Sequence, residues 1–244
     1  MPKNRFYSPE QLALGVTVKL PESAAIHAAR ALRMTEGDSA ILFNGDGVDY
    51  VCILTTVKKS AVLAQVTDST AVENESPLNI TLLQGISSGD RMDYTVQKAV
   101  ELGVKHIQPI ATERSVVKLN PARTAKRLAH WQSVVHSACE QSGRAVIPQI
   151  ATPISLNKWL ANHPQNNTGR ILLNPIGAKR LVELAKPNGE IQLLIGAEGG
   201  LSPNEIDMAE TNGFQSVILG PRILRTETAA LAAIASMHTV WGDF

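Results

Sequence analysis

IQLLIGAEGGLSPNEIDMAETNGFQSVILGPRILRTETAALAAIA, residues 191–235, contains two strand-to-loop-to-helix passages in succession. In the first, the apolar-rich run 191–195 leads into Gly196-Ala197-Glu198-Gly199-Gly200 and then a helix whose start is marked several times over. Ser202 is its predicted cap, Pro203 fits the first helical position and Glu205 completes a capping box. Gly213 supplies the stop. In the second passage, Val217-Ile218-Leu219 leads into Gly220-Pro221-Arg222-Ile223-Leu224-Arg225 and a long Ala-rich helix from Thr226. Open α/β sheets bind ligands where strands end and helices begin, so the two loops are predicted to wall one small-molecule pocket.

Neither loop has the spelling of a familiar nucleotide cradle. A phosphate loop needs Lys then Ser or Thr after its second Gly, and GAEGG is not GxGxxG. Taken alone, GAEGG is equally a tight turn before a helix.

Upstream, residues 79–84 read as a buried strand, 90–102 as a helix stopped by Gly103, and 106–111 as another strand. A long helix over 122–142 places Leu128, Trp131, Val135 and Ala138 on one face. A helix at 156–161, a strand at 170–173 and a short helix near 178–185 follow. This alternation predicts a mostly parallel sheet covered on both faces. Residues 1–72 differ. Strands at 39–43, 48–55 and 60–66, an Asn44-Gly45-Asp46-Gly47 turn and one helix at 23–34 capped by Ser23 predict a small β-rich domain. The polar stretch DSTAVENESP (68–77) is the predicted linker, giving domains 1–72 and 73–244.

The 244 residues are 44% apolar, enough for ordinary cores. No signal sequence or membrane-length apolar run is present, so a soluble cytoplasmic protein is expected. Cys52 and Cys139 have no metal spacing and read as buried reduced thiols; no metal is expected. A formal net charge of +1 is not that of a bulk polyanion binder. The distribution is uneven. Arg114, Lys118, Arg123, Lys126 and Arg127 fall in one stretch without an acid, either a solvated face or a binding site.

The two loops together resemble the bacterial 16S ribosomal RNA uracil-N3 methyltransferases, the RsmE type of the SPOUT superfamily. Ile195 to Ser202 fits I-G-x-E-G-G-[FL]-[ST], and Leu219 to Ala229 fits L-G-x-R-I-L-R-x-E-T-A. KAVELGV (98–104), Pro109, Arg114-Ser115, ACEQSGR (138–144), Arg5-Phe6-Tyr7 and residues 27–38 extend the resemblance over nearly the whole chain. Ala197 stands where the family usually has Pro, which relaxes that loop. The resemblance implies a SPOUT α/β domain with a deep trefoil knot, an N-terminal PUA-like barrel that helps grip RNA, and a homodimer. It also implies S-adenosylmethionine bound among Leu173, Gly196, Glu198, Gly199, Gly200, Leu219, Gly220, Ile223, Leu224, Arg225, Thr228 and Ala229. The implied substrate is 16S ribosomal RNA, free or in the assembled small subunit. Its implied contacts are Arg5, Arg30, Arg33, Arg114, Lys118, Arg123, Arg127 and Arg144. Ala197 leaves open a non-catalytic RNA-binding or assembly factor of the same fold, and base specificity leaves open another RNA or atom.

For methylation at uridine N3 the ring nitrogen must shed a weakly acidic proton, so the protein has to align the reactants and stabilise a uridine anion. A guanidinium near the uracil carbonyls does the second. Arg225 is the first candidate and Arg222 the next; the alternative is that Arg225 merely pairs with Glu227 or Glu198. Glu227 is a candidate base. Glu198 is a better loop organiser, because a carboxylate beside a sulfonium favours the ground state. His27, His106, His130 and His136 are bases by residue type alone.

Overall fold

The computed structural model describes residues 4–59, 61–115, 120–165, 168–176 and 179–244. The chain forms two compact units, Met1–Glu75 with His136–Ile147, and Ser76–Val135 with Pro148–Phe244.

The first unit contains β1 (Arg5–Tyr7), β2 (Thr17–Lys19), α1 (Glu22–Ile26), a π-helical turn His27–Ala31, β3 (Ser39–Phe43), β4 (Val48–Lys58) and β5 (Ala61–Ala71). They form a five-stranded sheet ordered β1-β3-β4-β5-β2, parallel only at β1–β3. Alternating side chains such as Leu42, Leu54, Val62 and Ala64 pack with Phe6 and Leu20 into its core. The helix is capped two residues earlier than expected. Pro21 occupies the N-cap and its carbonyl accepts the Ala25 N–H at 2.9 Å, so Ser23 is not the cap. β5 runs on to Ala71, inside the predicted linker, because Asp68 to Ala71 pair with Val51 to Val48.

Residues 136–147, placed in the second domain by a division at 72/73, cluster with the first unit. Arg144 makes a two-pronged pair with Glu75, at 2.9 and 2.6 Å, and its side chain is 4% exposed. Arg5 pairs with Asp49 and donates to the Arg144 carbonyl at 3.2 Å. The Arg144 guanidinium is buried and that of Arg5 half-buried, each engaged by a carboxylate of the same unit, where the resemblance implied RNA contacts. Tyr7 stacks on His136 at 3.8 Å, and its N–H donates to Glu140 at 2.9 Å. Burial lowers the His136 pKa and raises that of Glu140. It also pushes the Cys52 and Cys139 thiols up to about 11 and about 12, so both are inert.

The second unit contains β6 (Asn79–Gly85), α2 (Asp90–Glu101), β7 (His106–Ala111), α3 (Pro121–Ser142, up to Val135), β8 (Gln149–Ile150), β9 (Ile154–Ser155) and α4 (Leu156–Asn162). There follow β10 (Gly169–Leu173), β11 (Lys179–Arg180), β12 (Glu190–Ile195), α5 (Pro203–Thr211), β13 (Gln215–Ile218) and α6 (Thr226–Trp241). All the sheet pairings are parallel, in the order β11-β13-β10-β12-β6-β7-β8, with β9 beside β7. The helix expected near 178–185 is instead β11 and a 3-10 turn, Leu181–Glu183; Gly177 and Ala178 lie outside the described residues. Leu83, Ile110, Leu172 and Leu194 pack with Trp159 and Phe214 on one face of this sheet. Among the described residues, no helix is long and apolar enough to cross a membrane.

The expected start of α5 is present in full. Ser202 accepts the Glu205 N–H at 3.1 Å, Glu205 accepts the Ser202 N–H at 2.9 Å, and Pro203 opens the helix. The second Glu205 oxygen takes the Glu113 N–H at 2.9 Å, tying the helix start to the chain beyond β7. The strands of the two opening passages, β12 and β13, are not neighbours. β10 lies between them, so the segment leaving β10 supplies a further wall where all three strands end.

Candidate active site

An open cleft of about 540 Å³ lies at these strand ends, lined by the segments 173–176, 195–201 and 217–227, with Ile206, Ala229, Arg91 and Arg114. Leu173, Gly196, Glu198, Gly199, Gly200, Leu219, Gly220, Ile223, Leu224, Arg225 and Ala229, all expected at a ligand, line it. Thr228 does not. One residue before Ala229 on α6, it is exposed and outside the lining.

The first loop is held as a tight turn. Gly200 takes φ +68° and its N–H donates to the Ala197 carbonyl at 2.8 Å. Ala197 is 4% exposed; hydrogen bonding fixes this turn without the ring that Pro would supply. Behind it lies a third passage that the sequence reading left unremarked, Gly85-Ile86-Ser87-Ser88-Gly89 between β6 and α2. A Cβ on Gly85 would sit 2.3 Å from the Ala197 nitrogen, so the two backbones meet only because residue 85 is glycine. Thr226 joins all three pieces. Its buried hydroxyl accepts from Gln84 Nε2 at 2.9 Å and donates to the Gly196 carbonyl at 2.6 Å.

The charged groups divide sharply. Glu198 Oε1 accepts from the Ser88 N–H and hydroxyl, each at 2.8 Å, and from Arg91 at 3.2 Å. Burial works to raise its carboxyl, but hydrogen bonds from the Ser88 backbone, its own backbone, the Ser88 hydroxyl and Arg91 outweigh it. The result lies below the ordinary glutamate range. Arg114 spends one nitrogen on the carbonyls of Gly199 and Leu201, both at 3.2 Å, and so fastens the first loop from outside. Arg222 and Arg225 are exposed and, among the described residues, pair with no acid, Glu227 and Glu198 included. Glu227 has one oxygen buried without a hydrogen-bond partner.

Several candidates lie elsewhere. Arg30 and Arg33 are exposed on the first unit, with Arg33 in the left-handed region at φ +53°. Arg123 is exposed and Arg127 half-buried on α3, outside the cleft lining; Lys118 is outside the described residues. None of the four histidines lines the cleft: His130 pairs with Asp93 at 2.6 Å, His106 starts β7 at the far end of the sheet, and His27 and His136 belong to the first unit. Arg91 and Ser88 were missed. Their signal was available, since residues 85–89 also lead from a buried strand into a helix. No group of three or more His, Cys, Asp or Glu among the described residues is placed to hold a metal.

A family model for an RNA methyltransferase domain matches residues 74–238, and one for an RNA methyltransferase PUA domain matches residues 20–67. Fold and cleft thus define an RNA methyltransferase. The chain is 33% identical to ribosomal RNA small subunit methyltransferase E of Buchnera aphidicola, over 98% of this chain and 94% of that one. It is 45% identical, with a TM-score of 0.91 and 99% of each chain covered, to the crystal structure of ribosomal RNA small subunit methyltransferase E from Neisseria gonorrhoeae bound to S-adenosyl methionine. A Legionella pneumophila methyltransferase structure with bound cofactor matches at 36% identity and a TM-score of 0.95 over 100% of both chains. The chain belongs to the ribosomal RNA small subunit methyltransferase E family.

The lowered Glu198 pKa means that its bonds to Ser88 and Arg91 are complete at neutral pH and are lost as pH falls through that lowered midpoint. A carbon-detected NMR titration is expected to place Glu198 below an exposed glutamate, and Ser88→Ala to move it up. A midpoint at or above the exposed value contradicts this account of the loop.

Proposed function

We propose that the protein transfers a methyl group from S-adenosylmethionine to N3 of a uridine in 16S ribosomal RNA. The observation that carries this reading is a backbone-lined cleft whose second loop presents two arginines that, among the described residues, pair with no acid. The relatives' names and bound cofactor support the donor and the RNA.

The cleft fits the donor on its own terms. Its volume suits a ligand of nucleoside size, its floor is mostly backbone and apolar side chains, and the buried Glu227 oxygen offers an unused acceptor. The backbones of 196–200 and 219–225 would hold the cofactor against Leu173, Ile223 and Leu224. When bound, it supplies an electrophilic methyl on a sulfonium.

Arg225 stabilises the negative charge that spreads onto the uracil carbonyls as N3 gives up its proton, and Arg222 assists. Glu227 is the candidate proton acceptor. Glu198 stays ionised and occupied by Ser88 and Arg91, which suits an organiser of the loop and not a base. Arg30, Arg33, Arg123, Arg127 and Arg114 supply phosphate contacts, with the first unit a PUA-like barrel on the RNA.

The proposal extends to a trefoil knot at the cleft and to a homodimer. Supporting the knot, β10 is flanked by the later strands β12 and β13, and Thr226 returns to Gly196 and Gln84. An experimental density map with an unthreaded chain would remove it. Supporting the dimer, Ile176 and Ile223 at the cleft are 86% and 85% exposed. Sedimentation is expected to give twice the chain mass, and Ile223→Asp to give monomer; a monomeric native protein rejects the dimer.

With small ribosomal subunits from cells lacking the gene, the purified protein is expected to produce 3-methyluridine, detected by nucleoside mass spectrometry. Arg225→Ala is expected to lower kcat by roughly 100-fold or more, while calorimetric affinity for S-adenosylmethionine is kept. Turnover retained in that variant takes Arg225 out of the chemistry.

A further inference from the structure

Just after the third passage comes an arginine to which the proposed methyl transfer assigns no contact with the substrate. Arg91, in the first turn of α2, lines the cleft with its side chain 43% exposed. Its bond to Glu198 Oε1 is 3.2 Å, against 2.8 Å for each of the two Ser88 donors on the same oxygen. Three donors crowd one carboxylate oxygen, and Arg91 is the most distant of them. The two Ser88 bonds, both shorter, hold Glu198 alongside it. A guanidinium has several N–H donors in one plane, and this contact uses only one nitrogen.

The other cleft arginines are committed differently. Arg114 is bound to loop carbonyls, and Arg222 and Arg225 belong to the second loop. Arg114 and Arg91 each use one nitrogen beside the first loop, but Arg114 fastens that loop's backbone whereas Arg91 adds a third, longer bond to an oxygen that Ser88 already engages twice. Of the acids nearest in sequence, Asp93 is engaged by His130 at 2.6 Å and Asp90 opens α2.

We propose that Arg91 is a positioning residue that contacts an RNA backbone phosphate beside the target uridine. This rests on the RNA methylation reading above. A base can enter a cleft of this kind only when its nucleotide is turned out of the stack, which brings the flanking phosphates to the cleft mouth. There a planar guanidinium exchanges one 3.2 Å carboxylate contact for a paired grip on phosphate oxygens. Such a contact fixes where the strand lies without reading its sequence. The anion has a second conceivable source, the carboxylate of the cofactor's methionine portion. The 43% exposure places the guanidinium towards solvent and favours the polymer.

The test uses full-length native protein, Arg91→Gln and Arg91→Lys, with small ribosomal subunits lacking the modification, titrated over a potassium chloride series. Arg91→Gln is expected to weaken subunit binding roughly tenfold and to flatten the slope of log K against log salt by about 0.7 to 0.9. KM for subunits rises by a larger factor than kcat falls, and calorimetric affinity for S-adenosylmethionine changes less than subunit affinity does. Arg91→Lys restores the slope. Unchanged subunit affinity with weakened cofactor binding overturns the proposal in favour of a cofactor or loop contact. An unchanged slope overturns it too, while native activity leaves the methyltransferase reading intact. A native protein that neither binds nor methylates the subunits brings down both.

Discussion

The Thr226 hydroxyl holds together three stretches of chain that are distant in sequence. It accepts from Gln84 Nε2 at the end of β6, donates to the Gly196 carbonyl in the first loop, and belongs to the first turn of α6. Gln84 is fully buried and Thr226 nearly so, so an unmade bond here costs the desolvation of the group left behind. The close approach of Gly85 to Ala197 then fixes the first loop against β6, and Ser88 fixes Glu198. The cleft is thus shaped before any ligand arrives, the condition under which alignment contributes most to rate.

The same framework sorts charge. The acid of the first loop is satisfied by the protein, whereas among the described residues the two cations of the second loop pair with no acid. A site of this polarity suits the proposed reaction, in which negative charge spreads onto the uracil as N3 gives up its proton. It also explains how a chain with almost no net charge can serve an RNA substrate.

What could be read from the sequence was local. The Ser202-Glu205 capping box, the Gly213 stop and the two loops are written in neighbouring residues, and the structure has them as read. The strands β3 and β7 have the limits their alternation predicts. What escaped depends on distant pairs. Nothing near Arg144 announces that Glu75 will bury it, so a motif arginine read as an RNA contact became a structural ion pair. The polar spelling of Asp68 to Ala71 concealed strand residues whose partners lie in β4. Ser88 and Arg91 gained meaning only when β6 was found next to β12, and the wall from β10 only when that strand was found between β12 and β13. Thr226 looked like an ordinary helix start, because its partners lie 30 and 142 positions away.

The central claim is that one buried hydroxyl preorganises the cleft. Calorimetric binding of S-adenosylmethionine to Thr226→Val, which keeps the side-chain shape and removes the hydroxyl, tests it most directly. The account predicts an affinity about tenfold weaker, near 1.4 kcal/mol, in a protein that still folds. Binding within twofold of the native protein would contradict it.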